Sequence, residues 1–238
     1  MSGRSEHDVP WDDDFWEVSH AAARLTQYAC EVAARCLDDG MLRLQFTQEM
    51  AYVGKGIVED VRTGRKTPEQ GLVQIRKEHA ELADQFVQYS KLVAGLAAGV
   101  LQVAGGVAVC KLTAGVACAL GGGALVQHGI NAIYENGKNI YQGKTDTVGP
   151  LRKGYQEVAK ALGGKASHGN VVYGITDILL SGFGMGRLVI SPAARKLFRY
   201  IRSDKVRAYK VAGEGLIMFE LGVNVMTGEF VWVEWNKE

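Results

Sequence analysis

Little in this sequence does chemistry. Its five histidines (His7, His20, His79, His128 and His168) are scattered, without the HExxH or paired spacing that a metal site needs. There is no GxSxG nucleophile elbow, no phosphate-cradling loop and no dinucleotide fingerprint behind a strand. Gly182, Gly184 and Gly186 copy part of such a fingerprint, but position 189 is valine and the context is helical. Cys30 and Cys36 lie six apart and Cys110 and Cys118 eight apart, so neither pair has a zinc or thioredoxin-type spacing. All four are read as reduced thiols of a protein folded in the cytoplasm. These absences point away from an enzyme: no catalytic residue, cofactor or metal ligand is assigned.

A secretory signal is also missing. Residues Met1 to Trp16 are polar and acidic at Asp12, Asp13 and Asp14, with no basic start, apolar centre or cleavage site. Export, if it happens, must use another machine. No period of 20 to 50 residues repeats.

What is present is an imbalance. Residues 1–91 carry 11 Lys/Arg against 16 Asp/Glu, and residues 92–238 carry 16 against 10. An acidic front half precedes an apolar, basic back half. Three amphipathic helices are expected in the front: one over about 12–37, a second over about 41–61, and a third opened by Thr67, Pro68 and Gln70 as a capping box. The third has no stop signal and can run straight into the apolar stretch that begins at Leu92.

From Leu92 to Val126 the only clearly polar residues are Gln102, Lys111 and Thr113, and eight glycines interrupt the run. Each glycine inside a helix costs about 1 kcal/mol against alanine. Helices that meet inside a bilayer use small residues freely, because close backbone approach replaces the hydrophobic drive. A break near Cys110 to Leu112 keeps Lys111 at a helix end, where it can snorkel. Each arm of the resulting hairpin (92–110 and 112 to about 130) spans about 28 Å, near the hydrocarbon thickness of about 30 Å. On the first arm Gly95, Gly99, Gln102 and Gly106 share one face; on the second, Gly115, Ala119, Gly122 and Gly129 do. These small faces are read as packing or pore surfaces. The eight Leu/Val residues of 92–110 favour insertion by roughly 0.3–0.6 kcal/mol each, opposed by Gln102 and the glycines. The hairpin therefore reads as a conditional inserter, stored against Phe46, Met50, Ile57, Ile75, Leu82 and Phe86 of the front helices.

A second apolar segment, 171–190, holds one acid, Asp177, which is either an ion-path residue or an acid on the exposed face of a soluble helix. Behind it, Arg195, Arg199 and Arg202 belong to a basic cluster interleaved with Leu197, Phe198 and Ile201. That cluster suits anionic lipid or plain solvation; without a recognition motif, nucleic acid is not expected. Residues 230–235 suggest a terminal strand. The expected fold is mainly α, with amphipathic helices packed around a glycine-rich hairpin and a short β element near the C-terminus. The domains are read as 1–91, 92–190 and 191–238.

The block Gly121 to Gly164 (GGGALVQHGINAIYENGKNIYQGKTDTVGPLRKGYQEVAKALGG), continuing to Gly174 and Arg187, resembles a bacterial domain of unknown function found in type VI secretion toxins. With the zippered hairpin, the chain is similar to the glycine-zipper pore-forming effectors of the Pseudomonas type VI system. That resemblance implies a non-enzymatic toxin, soluble in the cytoplasm and loaded into the Hcp tube ring. It would be countered by a cognate immunity protein, and would self-associate in the target's inner membrane to dissipate its potential. The alternative from another class is a soluble helical interaction module whose hairpin is only buried core.

Overall fold

The computed structural model describes residues 13–112, 118–191 and 205–237, and among them the chain is mainly α-helical. It divides into two compact units, Met1–Tyr89 and Ser90–Glu238.

The first unit is built from α1 (Asp13–Cys36), α2 (Gly40–Arg62) and the start of α3 (Pro68–Leu112). Helix α1 opens with Asp13 and Asp14 and closes with Arg35, each charge matching the helix dipole at its end. Its apolar residues recur every three or four positions, so Val18, Ala22, Leu25, Ala29 and Val32 are all buried on one side. Asp39 caps α2: its carboxylate accepts from the Met41 and Leu42 amides at 2.7 and 3.1 Å. The capping box of α3 forms in both directions, Thr67 N to Gln70 Oε1 at 3.0 Å and Gln70 N to Thr67 Oγ1 at 3.2 Å. Ile57 and Ile75 pack with Val18, Ala22 and Leu25, and Met50 against them. Leu82 joins Ala29 and Val32, flanked by Phe46 and Phe86. The residues expected to hold the hairpin thus meet α1 and one another.

Helix α3 does run on, for 45 residues in all. Its last part begins the second unit. After the tip, a π-helical turn (Cys118–Gly122) leads into α4 (Gly123–Gln142), one helix that carries the apolar second arm on into the polar stretch 134–142. Gly143 ends α4 in the left-handed conformation at φ 62°. Pro150 starts α5 (Pro150–Ala161), and α6 (Ala166–Gly186) follows. The apolar segment 171–190 is not one helix to its end: β1 (Leu188–Ile190) pairs antiparallel with β2 (Lys205–Arg207), Val189 opposite Val206. A short α7 (Ala208–Val211) precedes α8 (Glu214–Trp235), which packs along α6.

Two expectations are corrected. Residues 230–235 are helical, not a strand: Val231 and Val233 favour strands only weakly, and context overrides that preference. Within that helix the Thr227 hydroxyl donates back to the Val223 carbonyl at 3.1 Å. Cys110 and Cys118 are joined by a disulfide rather than reduced, with Cα atoms 4.4 Å apart across the hairpin tip. Cys30 and Cys36 are free.

Candidate functional site

The arms of the hairpin meet backbone to backbone. A Cβ built on Gly99 would lie 2.8 Å from the Gly129 carbonyl oxygen, and one on Gly129 would lie 2.6 Å from that of Gly99. Seven residues along each arm the pattern repeats: Gly106 faces the Gly122 carbonyl at 2.6 Å, and Gly122 faces that of Gly106 at 3.1 Å. Real Cβ atoms essentially never come within 3.0 Å of another heavy atom, so a side chain at Gly99, Gly106 or Gly129 would force the arms apart. At Gly95 the neighbour is the Asn136 amide, 2.7 Å from such a Cβ. Ala119 is exposed in the π-helical turn. Gly115, Arg195, Arg199 and Arg202 lie outside the described residues.

Gln102 does not face the other arm's glycines. Its Nε2 donates to Asp177 Oδ1 on α6 at 2.8 Å. The same oxygen lies 3.3 Å from His128 Nδ1, off the line that a hydrogen bond requires. Asp177 therefore turns toward α3 and α4 and away from a solvated helix face. His128 is 2% exposed, stacks on Tyr173 with ring centroids 4.8 Å apart, and meets the Tyr155 hydroxyl at 3.3 Å.

The polar contacts continue. Asn131 donates to the Tyr173 hydroxyl and to Glu135 Oε1, both at 3.0 Å, and accepts from the Leu151 amide. Glu135 also accepts from Gly149 N at 2.6 Å and lies 3.3 Å from Arg152. Arg152 donates to Asn170, and Asn170 to Glu234 Oε2 on α8 at 2.8 Å. Buried polar groups need partners, and Asn131, Glu135, Arg152 and Asn170 find them in one another. A connected polar seam thus crosses α3, α4, α5, α6 and α8. Among the described residues no three His, Cys, Asp or Glu side chains converge as a metal would require.

The outside of this unit is the reverse. On α6, Val172, Ile175, Leu179 and Phe183 are exposed at helical spacing. On α8, Met218, Leu221, Val225 and Trp232 are exposed, while Glu220 and Asn224 point to Ser181 and Glu234 to Asn170. Two helices among the described residues, Pro68–Lys111 and Glu214–Trp235, are long and apolar enough to cross a membrane, and none of the most apolar stretch of the second is buried.

Residues 65–213 match the family described as "Protein of unknown function (DUF4225)". The chain belongs to the DUF4225 family. The match runs from the α2–α3 turn of this DUF4225 protein to Gly213, covering the hairpin and most of the polar seam and leaving out α8. Comparison with curated proteins and with solved structures gave no significant match.

Reasoning from sequence missed both the seam and the membrane length of α8. The seam had a signal: Asn131, Glu135 and Asn139 stand four apart on α4, a polar stripe that the burial of all three explains.

Proposed function

We propose that this DUF4225 protein inserts into membranes and forms an ion-conducting pore. The observation that carries the reading is the inverted polarity of the second unit: His128, Asn131, Glu135, Asn139 and Asn170 are inside, and apolar rows on α6 and α8 are outside. In water that arrangement exposes what should be buried; in lipid it satisfies both sides. The glycine crossings and the interhelical hydrogen bonds are the contacts that hold helices together where hydrophobic drive is absent. The Gln102–Asp177–His128 group is the candidate ion path. The wider role is an antibacterial toxin, carried in the Hcp ring of a type VI apparatus, held in check by an immunity protein and active at the target's inner membrane. It rests on the resemblance of the Gly121 to Gly164 block to type VI toxins.

Purified protein added to liposomes should release dye without substrate or nucleotide, and expression in a target periplasm should depolarise the cell. Intact liposomes across several lipid compositions, with no membrane association in cells, would sink the reading. They would favour the alternative of a soluble interaction module. One observation speaks for that alternative: Gly99 and Gly129, and Gly106 and Gly122, find their partners within one chain.

A further inference from the structure

Between α3, α4, α6, β1, α7 and α8 the second unit holds a cavity of about 540 Å³, within the range of roughly 300–1,000 Å³ typical of small-molecule sites. Its walls are mainly apolar, with Leu125, Leu180, Met185 and Leu216 among them. Besides the hydroxyls of Ser181 and Tyr209, three polar side chains line it: Gln102, Arg187 and Glu220.

Two of the three carry an unmet demand. Gln102 spends its Nε2 on Asp177, while its Oε1 is buried with no hydrogen-bond partner. Arg187 donates from Nη1 to the Gly184 carbonyl at 3.1 Å, while its Nε is buried and unpartnered. An orphaned buried donor or acceptor costs about 1–3 kcal/mol, so such groups call for an occupant. One Glu220 oxygen accepts from the Ser181 hydroxyl at 2.8 Å. One cavity thus sets a cation and a carboxylate on apolar walls, and two of its lining side chains, Gln102 and Arg187, each keep a buried polar atom without a partner.

We propose that this cavity binds one molecule of a zwitterionic single-chain amphiphile. A phosphate would lie at Arg187, a primary ammonium at Glu220, and the alkyl chain along the leucines. Lysophosphatidylethanolamine has this chemistry. A two-chain phospholipid is too large for the volume. The binding is separate from conduction: it needs one protein molecule in solution and no bilayer.

The test is calorimetric titration of the full chain with 12-carbon lysophosphatidylethanolamine below its micelle concentration. Saturable one-to-one binding is expected. The phosphatidylglycerol and phosphatidylcholine lysolipids, which lack an ammonium that can donate, should bind at least fivefold more weakly. Dodecyl maltoside should show no saturable binding. Arg187→Gln should weaken both phosphate-bearing anionic and zwitterionic ligands at least tenfold, and Glu220→Gln should remove the preference for ethanolamine over glycerol. If Arg187→Gln fails to fold by circular dichroism, Gly105→Leu is the substitute: a Cβ there would sit 3.2 Å from Arg187 Nη1, and the side chain should abolish binding. Equal binding of the maltoside, or unchanged ethanolamine binding in both the Arg187 (or Gly105) and Glu220 variants, overturns the proposal. A protein that conducts without binding refutes only this site; one that binds without conducting refutes only the pore.

Discussion

Gly99 and Gly182 sit in helices of the same unit yet should answer alanine in opposite ways. At Gly99 the new Cβ meets the Gly129 carbonyl at 2.8 Å and Ala132 at 3.1 Å, so two backbones must part. Overpacking of this kind costs about 1–3 kcal/mol. At Gly182 nothing lies within 4 Å, and alanine should stabilise the helix by about 0.5–1 kcal/mol. Chemical denaturation of the two variants checks the pair, and a Gly99→Ala protein as stable as the parent would mean that the arms do not cross this closely. Asp177 answers to a different measurement. It is the one acid in the apolar segment 171–190 and turns toward Gln102 and His128, so we expect a weakly cation-selective conductance that Asp177→Asn reduces. Reversal potentials across a salt gradient in planar bilayers decide it, and an anion-selective current contradicts it.

At the scale of elements, the turn from α2 to α3 should be acid-sensitive. Hydrogen bonds from Arg62 hold the Glu59 carboxyl below its ordinary range, and those from Lys66 first and Arg65 second do so for Asp60. A carboxylate depressed in the folded state contributes stability above its unfolded pKa and loses it as pH falls through the folded value. Unfolding of the first unit should therefore become easier as pH drops below the ordinary carboxylate range, and Asp60→Asn should flatten that dependence. The hairpin tip should respond to reductant instead: Cys118→Ser removes an eight-residue closure worth about 2.5 kcal/mol and should lower the unfolding free energy by about that much. The elements differ in how openly the sequence declares them. Helices α1 to α3 were legible because burial on one side leaves a 3.6-residue period, and Thr67–Gln70 is a local signal. The crossing of Gly99 and Gly106 with the second arm was visible as a small face, but not its partner, since spacing says nothing about which helix comes opposite. The disulfide was hidden because pairing of Cys110 with Cys118 depends on the reversal between them. Helix α8 was missed because its apolar residues surround it and leave no period to count, while Val231 and Val233 mimic a strand.

For the molecule as a whole, acidic and apolar properties are divided between the two units, the first supplying most of the negative charge and the second the apolar exterior. Deleting 214–238 should then abolish dye release while leaving the first unit folded, as read by leakage assays beside circular dichroism of the truncated chain. A truncated protein that still empties liposomes would restrict the membrane-active part to the hairpin. One feature of α8 gives this question an optical readout. Of the four tryptophans, Trp232 and Trp235 stand exposed at the end of α8, and Trp16 stands exposed on α1. An indole leaving water for hydrocarbon shifts its emission to the blue and becomes open to quenching by brominated acyl chains. With Trp11 and Trp16 replaced by phenylalanine, the remaining emission becomes a depth gauge for α8 alone, and bromines placed at successive carbons along the chain would report how far it sinks.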